Sequence, residues 1–170
     1  MPVIWFTGLS GAGKTTIAEK LADHIDAQVV DGDVIRRTIS SDLKHGKCDR
    51  KENLLRVINH IKSVINKTQF VIASFVSPEK AQREFTKSQF EEAGINFHEI
   101  YIKASLQTCE ERDVKGLYAR FRQGDDISLA GLTEEYEQPD NPILVCDTDA
   151  ETPEECVARI LAIIENCHLI

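Results

Sequence analysis

The octapeptide Gly8-Leu9-Ser10-Gly11-Ala12-Gly13-Lys14-Thr15 satisfies the pattern G-x-x-x-x-G-K-[ST] without exception and is followed by Thr16. Its residue types suit a polyphosphate. Glycines let backbone N–H groups turn inward onto phosphate oxygens, and a helix N-terminus adds partial positive charge. A lysine reaches the β- and γ-phosphates, and a threonine hydroxyl can hold Mg2+. The stretch Gly8 to Thr16 is therefore the expected ATP cradle, with Lys14 as a catalytic cation and Thr15 as the metal-side ligand. A dinucleotide fingerprint fails, because its third glycine would fall at Thr16.

What is absent narrows the class. Asn66-Lys67-Thr68-Gln69 ends in glutamine where guanine-reading loops carry aspartate, and it lies too early in the chain. The apolar run ending at Ser74 lacks the aspartate with which Walker-B ATPases anchor Mg2+. The second run instead ends in Val30-Asp31-Gly32-Asp33, delivering two carboxylates to the phosphate-loop edge. A carboxylate there can take the proton of an attacking hydroxyl in line with the γ-phosphate. Either aspartate could instead serve as an N-cap for a helix starting at Val34-Ile35-Arg36, the lesser of the two readings and still open at this point. A small-molecule kinase fits best.

Positioning these groups requires strands that end at one edge. Near-continuous apolar runs at 3–6, 28–30, 69–75, 97–102 and 143–146 read as strands buried on both faces of a parallel sheet. Between them lie helical periods: Ile17, Leu21, Ile25; then Leu54, Ile58, Ile61, Ile65; then Val157, Leu161, Ile164. The last is introduced by Thr152-Pro153-Glu154-Glu155, a capping box. The expected architecture is α/β: a three-layer P-loop NTPase fold with a mostly parallel five-stranded sheet, one domain over 1–170, ligands at the carboxyl ends of the strands.

Composition sets the background. Twenty basic against 28 acidic residues give a net charge of −8, which argues against nucleic acid as partner and requires any anion to be held by a local pocket. No apolar run is long enough to span a membrane. Met1-Pro2 leads straight into an apolar run without a secretory pattern, so the expected compartment is the cytoplasm. Five cysteines without a C-x-x-C pair read as reduced thiols.

The residues quoted so far, with Arg36, Asp49-Arg50, Asn53, Arg56, Ser74-Phe75-Val76-Ser77-Pro78, Arg83, the stretch from Arg112 to Tyr118 and Tyr136-Glu137-Gln138-Pro139, resemble the adenylylsulfate (APS) kinase family. The likeness runs from about Val3 to Thr148. It implies transfer of the γ-phosphate of MgATP to the 3′-hydroxyl of adenosine 5′-phosphosulfate, giving PAPS for sulfate assimilation. It further implies Asp33 as base and Arg36, Arg50 and Asn53 on the phosphosulfate. Asp31, Phe75, Val76 and Ser77 complete the substrate wall. Arg112 falls near the ATP adenine, and Lys115 sits on phosphates within a helical lid over about 113–135. The family's usual dimer implies a homodimer.

The local chemistry agrees, since clustered guanidinium forks suit a dianionic anhydride in an acidic chain, with Lys14, Arg36, Arg50, Arg56 and the lid cations forming the pocket. Ser77 matches a serine proposed in the family as a phosphorylated intermediate, which makes it a catalytic candidate beside Asp33 and Lys14, yet Ser77-Pro78-Glu79 also reads as a helix start with Ser77 at the cap. Direct in-line transfer needs no protein nucleophile.

The departures fall on the acceptor side. His45 and Leu129 stand where the family has two phenylalanines that sandwich the substrate adenine, and Val34, Leu55 and Ala130 also differ. A base stacked on an aromatic gains about 1–3 kcal/mol, so the base clamp is remodelled. Three readings follow: an APS kinase, the same chemistry on another nucleotide anhydride such as cytidine diphosphoramidate, or a non-catalytic nucleotide sensor.

Overall fold

A computed structural model describes residues 2–43 and 47–166, so His45 lies outside the described residues. Strands β1 (Pro2–Thr7), β2 (Ala27–Asp31), β3 (Phe70–Ser74), β4 (Asn96–Lys103) and β5 (Leu144–Asp147) form one sheet in the order β2-β3-β1-β4-β5. Every pairing is parallel. The helices are α1 (Lys14–Ala22), α2 (Gly32–Arg37), α3 (Lys47–Val64), α4 (Lys80–Glu91), α5 (Leu106–Arg112), α6 (Leu117–Arg122) and α7 (Pro153–Asn166).

Central β1 shows why its sequence is apolar throughout. Ile4 and Phe6 enter a core with Ile17 and Leu21 of α1 and Val157 and Ile160 of α7. Val3 and Trp5 enter the opposite core with Val57, Ile58 and Ile61 of α3 and Phe90 of α4. Two covered faces make three layers, and truncating one of the buried isoleucines, leucines or aromatic side chains among these to alanine costs about 2–5 kcal/mol. Among the described residues no helix is long and apolar enough to cross a membrane.

The ends of elements depart from the periodic pattern for local reasons. Helix α1 stops at Ala22, where the Asp23 N–H closes onto the Glu19 and Lys20 carbonyls, so Ile25 packs against the core from a turn. Ile65 remains buried but belongs to a single 3-10 turn after α3. Helix α4 starts at Lys80 with Glu79 at its N-cap, and Ser77 does not cap it. Ser77 adopts φ 44° instead, and its hydroxyl and carbonyl oxygens accept bonds from Trp5 and Arg83. The capping box of α7 forms as expected: Thr152 N–H donates to Glu155 at 2.8 Å and Glu155 N–H to Thr152 Oγ1 at 3.2 Å. In the segment expected as a helical lid, α6 is six residues long and the chain from 123 to 135 is irregular.

Candidate active site

The carboxyl ends of β1, β2, β3 and β5 open into a cleft of about 540 Å3. Ser10, Gly11, Gly13, Lys14, Thr15 and Thr16 line one side. Gly8, Leu9 and Ala12 do not line it and act through shape. Gly8 has φ 153°, and a Cβ there would come within 2.2 Å of the Ile102 carbonyl oxygen, so only glycine lets the loop leave β1 against β4. Leu9 and Ala12 are buried in the core beneath the loop. The loop is tied from outside by residues whose role sequence reasoning missed. Tyr118 Oη donates to the Ser10 carbonyl at 2.9 Å, and Thr148 Oγ1, just past β5, donates to the Ala12 carbonyl at 3.0 Å. Arg112 donates to the Gly11 and Thr148 carbonyls at 3.2 and 2.7 Å, which brings its guanidinium to the rim of the nucleotide side. The one signal for Thr148 was its place at the carboxyl end of a strand.

Lys14 is almost fully buried, with Nζ donating to the Gly8 and Leu9 carbonyls at 2.9 and 2.7 Å. Burial, aided by repulsion from Lys115, pulls its ammonium down to about 7, against the pull of Cys109, Asp33 and Asp31. Thr15 Oγ1 donates to Asp31 Oδ2 at 2.7 Å and lies 3.5 Å from Ser74 Oγ. Asp31 Oδ1 accepts from the Asp33 and Val34 N–H groups, so Asp31 is the N-cap of α2 and braces Thr15. The helix-cap alternative thus describes Asp31. It leaves Asp33, one residue into the helix, with its carboxylate paired to Lys115 across the cleft. Gly32 between them makes room for Phe75, whose Cδ1 would lie 2.9 Å from a Cβ at that position.

Lys115 is placed by an unusual turn. Asp113, at φ 25°, accepts from the Tyr118 and Ala119 N–H groups at 3.0 and 2.9 Å and so anchors the start of α6. Opposite stand Arg36, Arg50 and Asn53. Burial, followed by the nearby Arg50 charge, lowers the Arg36 guanidinium's proton affinity, the signature of two cations gathered in one half-buried place. Arg50 Nη1 contacts Glu134 at 2.5 Å and its Nη2 donates to Ser128 at 2.8 Å, tying α3 to the irregular segment. Asn53 is buried and its Oδ1 has no hydrogen-bond partner, an acceptor available to a ligand donor. Phe75, Val76, Ser77 and Leu129 complete the wall, Leu129 being 4% exposed. Arg56 is not part of the pocket: it bonds Asp42, Glu52 and the Ile39 carbonyl outside the cleft.

Oxygen donors at Thr15 and Asp31 fit Mg2+, which keeps several waters and substrate phosphate oxygens and takes only one or two protein ligands. The cysteines Cys48, Cys109, Cys146 and Cys156 are free thiols.

The adenylylsulphate kinase family model matches residues 1–147. An adenylyl-sulfate kinase of Bacillus licheniformis is 41% identical, the match covering 96% of this chain and 85% of the relative. The structure of a Mycobacterium tuberculosis APS kinase in complex with AMPPNP and APS superimposes with a TM-score of 0.88 at 32% identity, covering 96% of this chain and 97% of that one. A hexameric APS kinase from Thiobacillus denitrificans matches with a TM-score of 0.70 at 27% identity over 99% of this chain and 29% of its own. With a phosphate loop, an acidic pair where β2 passes into α2 and a cationic wall all on one cleft, the chain belongs to the adenylylsulfate kinase family.

Proposed function

We propose that this chain transfers the γ-phosphate of MgATP to the 3′-hydroxyl of adenosine 5′-phosphosulfate, giving PAPS and ADP. The observation that carries this reading is the Asp33 carboxylate facing Lys115 across the cleft, between the phosphate loop and the Arg36–Arg50 pair. ATP lies along Ser10 to Thr16, its phosphates under the loop N–H groups and Lys14. Arg112, held against Thr148, flanks its base. Arg36 and Arg50 take the phosphosulfate, and Asn53 Oδ1 accepts from a donor on the acceptor nucleotide. The 3′-hydroxyl proton passes to Asp33 as the hydroxyl oxygen bonds the γ-phosphorus and the bond to ADP breaks. Lys14 and Lys115 bring positive charge to the transferring group, where a water-excluding site makes such charge most effective. Mg2+, held beside Thr15 and Asp31, would neutralise charge on the β- and γ-phosphate oxygens. Ser77 acts here as a substrate contact, since its oxygen already accepts the Trp5 N–H and direct transfer requires no protein nucleophile.

The free thiols at Cys48, Cys109, Cys146 and Cys156 support a cytoplasmic enzyme. The assembly expected from the resemblance is a homodimer; light scattering separates it from a hexamer. The decisive assay couples ADP release to oxidation of NADH with APS or cytidine diphosphoramidate as acceptor. Turnover of APS with formation of PAPS is expected. Turnover of the cytidine compound alone would overturn the acceptor assignment, and tight ATP binding without turnover of either would overturn catalysis.

A further inference from the structure

We infer that Arg83, a buried arginine outside the cleft, is a positioning residue that holds the acceptor wall Phe75-Val76-Ser77 in a strained backbone conformation. The inference deepens the proposed reaction and rests on that reading for its kinetic arm. Arg83 is 3% exposed and its guanidinium is engaged from three sides. Nη1 donates to the Ser77 carbonyl at 2.7 Å and Nη2 to the Glu137 carbonyl at 2.7 Å, while Nε lies 2.9 Å from Glu99 Oε1. Its Cζ lies over the Tyr136 ring, 5.9 Å from the centroid.

These contacts converge on one point. Ser77 is one of two described non-glycine residues with positive φ, at 44°, a conformation that persists only when its surroundings over-determine it. They do so here. Thr7 Oγ1 donates to the Val76 carbonyl at 2.7 Å, and Tyr136 Oη lies 2.8 Å from that same hydroxyl. Trp5 Nε1 donates to Ser77 Oγ at 3.2 Å while its ring stacks on Phe75 at 4.9 Å. The Glu137 N–H donates to the Pro78 carbonyl, closing the loop against the chain that leaves the irregular segment. Among these ties Arg83 alone pairs a fixed charge with two backbone carbonyls, one on each of the two segments. Lysine would preserve the charge facing Glu99 but has no planar fork to reach both carbonyls.

Trp5 is the only tryptophan in the chain, so its fluorescence reports the wall directly. In the Arg83→Lys variant the KM for the acceptor rises about tenfold or more, kcat and affinity for a fluorescent ATP analogue change less than about threefold, and the Trp5 emission shifts. Adding Ser77→Gly, which adopts positive φ without strain, recovers at least about threefold of the lost kcat/KM relative to the sum of the single effects. Losses that simply add, an unmoved acceptor KM, or an unchanged Trp5 emission would each overturn the inference. If Arg83→Lys does not fold, the Arg83→Gln/Glu99→Gln pair, which buries no unpaired charge, repeats the test with the same outcomes. Should the wild-type protein fail to phosphorylate APS, the proposed reaction falls. The Trp5 emission of the Arg83 and Ser77 variants still decides the positioning role.

Discussion

The two sides of the cleft are built on different physical terms. The ATP side is fixed by backbone: glycine conformations, one carbonyl against Gly8, and hydrogen bonds from Tyr118, Thr148 and Arg112 to the loop's own carbonyls. The acceptor side is fixed by charged side chains reaching across from separate elements, Arg50 to Glu134 and Lys115 to Asp33. Backbone constraints leave little freedom to vary the sequence, whereas side-chain constraints tolerate substitution around them.

Three measurements sharpen this contrast, beginning with the largest effect. Asp33→Asn keeps size and removes the proton acceptor, so kcat should fall by about 10²–10³-fold while ATP affinity stays within about threefold. An undiminished kcat would mean that the base lies elsewhere. Next is pH. Lys14, pulled down to about 7, is mostly an ammonium below that value and progressively neutral above it in the free protein. ATP affinity should therefore fall as pH rises above 7, by up to about tenfold per unit for one coupled proton, and Lys14→Arg should flatten the profile. For stability the sign is opposite. The unfolded chain binds this proton more tightly, so stability rises between pH 7 and 10.5, and Lys14→Met should raise the melting temperature by several degrees near neutrality. A melting temperature that falls would place the burial penalty elsewhere. The smallest effect concerns the base clamp: Leu129→Phe should lower the acceptor KM about tenfold at unchanged ATP KM, because an aromatic face adds stacking energy that leucine lacks. An unchanged KM would show that the acceptor base does not rest on position 129.

Much of this was legible in the residues themselves. The phosphate loop carries its own conformational requirement, and strands buried on both faces announce themselves as unbroken apolar runs, so sheet, loop and the Asp31-Gly32-Asp33 edge could be read directly. The division of labour between the two aspartates could not, since both are one-letter equivalents at a strand end and only the N–H geometry of α2 makes Asp31 the cap. Ser77 misled for a related reason: Ser-Pro-Glu is a good helix start, but a tertiary bond from Trp5 and the carbonyl contact of Arg83 hold Ser77 outside the helix. Arg56 was counted with the pocket cations because charge pattern says nothing of direction. Its partners, Asp42 and Glu52, do not line the cleft.

The place of β1 at the centre of the sheet bears on how this protein comes into being. Val3 pairs with Val71 on one side and Phe97 on the other, so the strand that carries the phosphate loop is synthesised before both of its neighbours and waits for each of them. Such long-range pairing makes folding slow and leaves an apolar strand uncovered meanwhile. A nascent chain arrested before residue 70, where β3 begins, has the complete nucleotide motif in its sequence and neither of the strands that pair with β1.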